Sequence, residues 1–241
     1  GMMQSIRVRA EVKTGSLEIK KAGEHIGYIM GAGDEMPTSL EQMGYIVHII
    51  NPANITDNSL SKYDAIVLGI RAYNVLEELK FKQRFILDYV KKGGNVIVQY
   101  NTANRWGNQF ENIAPYELEI SRDRVTNEDS EVRILAIDHP LVTFPNKITP
   151  SDFEGWVQER GLYFPDKWGP EFTPILSMND EGETEKNGSL LVAPYGKGNY
   201  IYTGISFFRE LPAGVPGAYK LFSNMLSIGK DTLEQKEKIK G

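Results

Sequence analysis

The side chains best suited to chemistry stand where the chain turns from apolar to polar. Asp34 follows GYIMGAG, and Arg71, Tyr73 and Asn74 follow AIVLGI. Asn101 and Trp106 come after NVIVQY, and Ser206, Arg209 and Glu210 come after YIYTGI, while Trp156 lies in a middle segment rich in Asn, Pro, Trp and Asp. Two chemistries suit these types. In the first, arginine and amide groups orient a polar ligand by hydrogen bonds and Trp106 or Trp156 offers a ring face to a sugar. In the second, Asp34 or Glu210 moves a proton while Arg71 or Arg209 stabilises an oxyanion. A third reading has no ligand: the arginines pair with Asp34 and Glu210 in a structural network, and the tryptophans fill the core.

Other chemistries are closed. The 241 residues include no cysteine, which removes disulfides, thiolate metal sites and cysteine nucleophiles. Gly27, Gly31 and Gly33 approach a dinucleotide fingerprint, but Met36 stands where the third glycine belongs, and no phosphate loop of the G-x-x-x-x-G-K type occurs. His25, His48 and His139 are scattered without metal-ligand spacing, and Gly204-Ile205-Ser206-Phe207-Phe208 offers half of a serine elbow. We therefore expect no metal and no cofactor. With 27 Lys+Arg against 32 Asp+Glu the formal charge is −5, which gives no footprint for nucleic acid. The longest apolar runs, 46–50 and 65–70, fall far short of the roughly 18 residues a spanning helix needs, so the chain reads as soluble. Gly1 ahead of two methionines reads as an expression remnant with no leader after it, and the compartment is not legible.

The elements that must position these residues are readable from periodicity. Residues 4–20 alternate on a period of two around Thr14-Gly15, a β-hairpin or edge ribbon. Then HIGYIM (25–30), YIVHII (45–50), DAIVLGI (64–70) and NVIVQY (95–100) are apolar on both faces and spaced by helical patterns, the mark of a parallel sheet covered on both sides. Leu76, Leu79, Gln83, Ile86 and Val90 form a stripe ended by Gly93-Gly94, so 25–100 reads as β-α-β-α-β-α-β. The middle, 101–190, shows weak strands at 116–120, 132–137, 156–163 and 174–178. Strands 190–193 and 200–205 follow, joined by Tyr195-Gly196-Lys197-Gly198, then a last packed helix over 212–227. The tail after Gly229 is charged on every face and is expected to fray or project. In a parallel sheet the strand ends line one crevice, which brings Asp34, Arg71, Asn74, Asn101, Arg209 and Glu210 to a common rim.

The runs GYIMGAGDEMPTSLEQMGY, YDAIVLGIRAYN, GGNVIVQYNT, FEGWVQERGLYF and SFFRELPAGVPGAY carry a resemblance. Over about residues 22–228 the chain resembles the C-terminal region of bacterial PIG-L/LmbE-type deacetylase-like proteins. That region is similar to class I glutamine amidotransferase-like and ThuA-like domains. The resemblance implies a flavodoxin-like α/β fold at 22–229, with the hairpin at 1–21 as an extension, a loop-rich antiparallel insertion and a charged tail at 230–241. Family deacetylases carry A-H-P-D-D, whereas His139-Pro140 is followed here by Leu141-Val142. Family amidotransferases carry a cysteine in G-x-C-x-G, whereas the counterpart here is Gln99-Tyr100-Asn101-Thr102-Ala103.

Asn101 has no ionisable group to serve as that nucleophile, so glutamine hydrolysis is excluded. The resemblance then implies a non-catalytic accessory domain that binds a carbohydrate or other small polar ligand in the strand-end crevice, beside a sugar-deacetylating module, and it allows a periplasmic or exported setting. The alternatives are a thiol-independent hydrolase or sugar-modifying enzyme built on Asp34 or Glu210 with Arg71 or Arg209, and a structural domain that self-associates through the hairpin.

Overall fold

In this computed structural model, residues 4–9, 16–103, 113–231 and 233–241 are described. Strands β1 (Gln4–Arg9) and β2 (Ser16–Lys21) form the antiparallel ribbon expected at the N-terminus, with Ile6 opposite Ile19; the Thr14-Gly15 turn lies outside the described residues. The ribbon is latched to the body: the Ser223 hydroxyl donates to the Lys20 carbonyl at 2.7 Å, and the Ala22 N–H donates to Ser227 Oγ at 2.9 Å.

The four apolar runs become β3 (His25–Ile29), then, after α1 (Met36–Gln42), β4 (Ile46–Ile49) and β5 (Ala65–Leu68), and, after α2 (Ala72–Val75) and α3 (Leu79–Lys91), β6 (Asn95–Gln99). Every residue of β5 and β6 is buried, as two-faced apolar strands require. Two expectations fail here. β4 is an edge strand, so Ile49 is 60% exposed. The helix expected between β4 and β5 does not form. Asn51 accepts the Ala53 N–H at 3.0 Å to start a single 3-10 turn, Pro52–Asn54, and Asn58 takes φ 61. Asn and Pro favour such turns over helix propagation. α3 buries the expected stripe of Leu79, Gln83, Ile86, Tyr89 and Val90, and Gly93 at φ 118 supplies the left-handed stop.

The insertion holds β7 (Leu118–Val125), β8 (Val132–Ile134), α4 (Pro140–Thr143), β9 (Gly161–Trp168), β10 (Thr173–Pro174) and β11 (Leu176–Met178). β7 pairs with β9 and β8 with β11, both antiparallel, as the weak strand patterns suggested. β12 (Leu190–Tyr195) and β13 (Gly198–Thr203) make the expected hairpin, with Gly196 at φ 57 as the first residue of its two-residue loop. After α5 (Phe207–Glu210) comes α6 (Pro216–Ser227), with its proline in the first turn where a missing N–H costs little. The tail is helical, α7 (Leu233–Lys240), and exposed over 237–241.

The main sheet runs β10-β12-β13-β6-β5-β3-β4, with β13, β6, β5, β3 and β4 mutually parallel. Read from β4, the parallel strands follow chain order 2-1-3-4-5, the flavodoxin-like arrangement, so the expected fold is present. One face packs Tyr28, Val67, Ile97 and Ile201 against α1 and α6; the other packs Ile66, Leu68, Val96 and Val98 against α3. Among the described residues no helix is long and apolar enough to cross a membrane.

Candidate functional site

Flavodoxin-like sheets bind ligands beyond the strand C-termini, near the point where strand order reverses. Here that point lies between β3 and β5, and backbone fills part of it. Ala32 N–H donates to Ile70 O at 2.9 Å, and a Cβ on Gly31 would stand 2.1 Å from that oxygen, so only glycine admits the contact. Asp34 sits on this seam. Its two oxygens accept the Tyr28 hydroxyl at 2.9 and 2.8 Å, and Oδ1 takes the Met36 N–H at 2.8 Å. Burial raises the Asp34 pKa, and these bonds oppose the rise.

One strand along, Arg71 occupies the left-handed region at φ 58, ψ 24, and its N–H donates to Tyr100 O at 2.7 Å, tying the ends of β5 and β6 together. For a residue with a Cβ this conformation costs about 1–2 kcal/mol. Its Nε is buried and has no hydrogen-bond partner among the described residues. The neighbouring rim is built by amide clamps. Thr102 N–H donates to Asn74 Oδ1 at 2.8 Å. Asn101 is wholly buried, accepting the Tyr73 N–H at 3.0 Å, donating to Gln99 O at 3.3 Å and sending its N–H to the Tyr202 hydroxyl at 3.0 Å. Tyr73 itself donates to Gln83 Oε1 at 2.5 Å. Asn74, Asn101 and Tyr73 thus hold the loops in place, with the Asn101 amide enclosed.

The opposite wall comes from the insertion and α5. Tyr163, at φ 50, stacks on Tyr100 with ring centroids 5.9 Å apart, and Phe208 meets Tyr100 at 5.6 Å. Arg209 lies 4.8 Å over the Phe208 ring and donates from Nε to Glu159 Oε1 at 2.9 Å. Burial raises the Tyr100 pKa, and the positive charges of Arg71 and Arg209 oppose the rise. Tyr100, Tyr163, Phe208 and Glu159 complete this rim and were not among the candidate residues. Tyr100 and Phe208 follow strand ends and carried that signal; Tyr163 and Glu159 reach the rim through packing that no local pattern encodes.

Several expected rim residues belong elsewhere. Ser206 is wholly buried and donates to Glu159 O at 3.0 Å. Trp156 is 3% exposed, its indole donates to Asp152 O at 2.9 Å and its ring packs on Phe153 and Phe207, so it has no free face. Glu210 turns inward: Oε1 accepts the Val157 N–H at 2.5 Å, Oε2 is buried without a partner, and burial lifts its pKa to about 7. Trp106 lies outside the described residues. Arg209 therefore pairs with Glu159 rather than Glu210, and no ion pair joins Arg71 to Asp34 among the described residues. Among the described residues no three ligating side chains gather as a metal site.

No family model matches the chain, and no curated protein matches it in sequence. Solved structures match its fold. A cytoplasmic protein from Salmonella typhimurium is similar over 95% of this chain and 97% of its own, with 18% identity and a TM-score of 0.53. A cold-adapted β-galactosidase from Rahnella sp. R3 matches 84% of this chain at 14% identity and a TM-score of 0.50; this chain spans only 31% of that enzyme's length. A ThuA-like protein from Bacteroides uniformis is also similar, with 12% identity and a TM-score of 0.48 over 86% of this chain.

Proposed function

We propose that this chain is a non-catalytic domain of amidotransferase-like fold that binds a carbohydrate or other small polar ligand in the crevice between Arg71 and Arg209, and that it works beside a sugar-deacetylating module. The observation that carries the reading is the contrast at the end of β6. The position that the resemblance gives to a nucleophile, Asn101, is buried and fully clamped, while the adjacent Tyr100 packs between the Tyr163 and Phe208 rings, with the Arg71 N–H on its carbonyl oxygen and Arg209 over the Phe208 ring. Such walls, apolar faces with a few convergent polar groups, suit sugars. The likeness to a segment of a β-galactosidase fits a unit that accompanies a sugar-processing enzyme.

The test is calorimetric titration and thermal shift of the chain with neutral and N-acetylated sugars. Binding is expected with a rise in melting temperature; an intact fold whose melting no sugar moves rejects the reading. A second reading, proton transfer by Asp34, is favoured by its raised pKa and its place on the seam between β3 and β5. Turnover of a glycoside or acetylated sugar that disappears in Asp34→Asn would support it over binding alone.

A further inference from the structure

Two histidines meet at the end of β3 away from the crevice. The parallel register sets His25 beside Ile46 and Gly27 beside His48, so both imidazoles stand on one face of the sheet as diagonal neighbours. The connection from β4 to β5 forms a 3-10 turn rather than a covering helix, and both rings are open to water. His25 Nδ1 lies 3.1 Å from His48 Nε2. The backbone of the first ring is fixed, because Asp64 Oδ2 accepts the Glu24 and His25 N–H groups at 2.7 and 2.9 Å. The Glu24 carboxylate stands 3.9 Å from the far nitrogen of the same ring, His25 Nε2.

We infer that His25 Nδ1 and His48 Nε2 chelate one divalent transition-metal ion of the zinc class. Bonds of about 2.0–2.1 Å, at angles between square and tetrahedral, hold two nitrogens about 2.9–3.4 Å apart, and this pair already has that separation. Without the ion, one ring N–H donates to the other ring. The ion replaces that proton, which leaves to solvent, and both nitrogens give their lone pairs to the metal. Glu24 is placed as the outer carboxylate that steadies a metal-bound imidazole through its second nitrogen. Imidazole selects zinc-like ions over calcium and magnesium, which prefer oxygen. No third ligating side chain joins the pair among the described residues, so water completes the coordination. Strand register brings these rings together across 23 positions, which is why no local spacing announces them.

Calorimetry of the whole untagged chain with zinc chloride, and separately with calcium chloride, tests this. One zinc per chain is expected with a Kd on the order of 10 µM, roughly half the binding free energy of a four-ligand zinc site, and calcium should give no such binding. His25→Gln and His48→Gln should each weaken zinc by about tenfold or more, since one imidazole is left. Imidazole nitrogen NMR of the wild type gives a reading free of any folding effect: zinc should shift His25 Nδ1 and His48 Nε2 and leave His139 in place. Absence of zinc binding, equal binding of calcium, or zinc affinity that survives both substitutions overturns the site. A shift at His139 alone does the same. One zinc for two chains with a doubled mass overturns chelation within a single chain.

Discussion

Strands β5 and β6 are buried along their whole length and face each other in an unbroken parallel register, Ala65 to Asn95 through Leu68 to Val98. In the insertion, β7 and β9 shift register at three places, between Glu119 and Ile120, Ile120 and Asp123, and Asp123 and Val125. The sheet is held by apolar contact on two faces. The insertion is fastened by buried polar groups reaching across the chain: Arg160 donates to the Ser130 and Phe153 carbonyls, and Asn224 of α6 grips the segment around Asn146. Where periodic burial fixes the backbone, local pattern and fold agree; where it does not, single polar side chains carry the geometry, and the crevice lies on the border between the two.

The strongest way to break this contrast is to remove an insertion clamp. Asn224 accepts from Asn146 N–H at 2.9 Å and from its side-chain amide at 3.1 Å, and donates to Leu141 O at 2.9 Å and Asn146 O at 2.8 Å. Asn224→Ala leaves several buried backbone groups without partners, at about 1–3 kcal/mol for each such group, so the total is expected near 4 kcal/mol. Leu68→Ala, a cavity in the sheet, is expected to cost about 2–5 kcal/mol. Urea unfolding measures both. If Asn224→Ala costs under 1 kcal/mol while Leu68→Ala costs its full value, polar clamping does not distinguish the insertion.

The same contrast can be read through pH. Glu210 buries a carboxyl behind the insertion, and burial lifts its folded pKa to about 7 from a reference of 4.5, with the Val157 N–H and Arg160 opposing and Glu159 and Glu128 adding to the rise. Between those values the folded chain holds a proton that the unfolded chain releases. Stability contributed by this group is therefore present below about pH 4.5 and is lost as pH rises through 7, by about 2–3 kcal/mol. Glu210→Gln keeps an acceptor for Val157 and should flatten that slope. Asp34, also raised by burial, contributes with the same sign, so the difference between wild type and variant is the quantity to measure. A slope unchanged in Glu210→Gln would assign the pH dependence elsewhere.

The division also marks what was legible beforehand. The strands of the parallel sheet, α3 and α6 announced themselves, because two-faced burial and a helical stripe impose periods of their own. The segment between β4 and β5 was not legible as a turn, since Asn51 and Asn58 decide it through side-chain bonding and a left-handed backbone rather than through period. At the crevice, Asp34 and Arg71 could be placed because strand ends in a parallel sheet share one rim. Their partners could not. Glu159 reaches Arg209 across fifty positions, and Trp156, which looks like a stacking ring, is drawn into the core by Phe153 and Phe207.

The smallest expected effect is the most telling about the border. Arg71 pays a left-handed penalty of about 1–2 kcal/mol that glycine would not, while glycine adds roughly 0.5–1 kcal/mol of unfolded-state entropy. Its side chain returns nothing visible to the fold, having an unpartnered Nε and no ion pair among the described residues. Arg71→Gly is therefore expected to leave the chain as stable as the wild type or up to about 1 kcal/mol more stable, read as an equal or higher urea midpoint with unchanged slope. Such strain persists only where the surroundings over-determine it, here through the bond from the Arg71 N–H to Tyr100 O. A clear loss of stability in Arg71→Gly would instead make this arginine one more clamp, and would move the border of the sheet-like, locally determined half past the crevice.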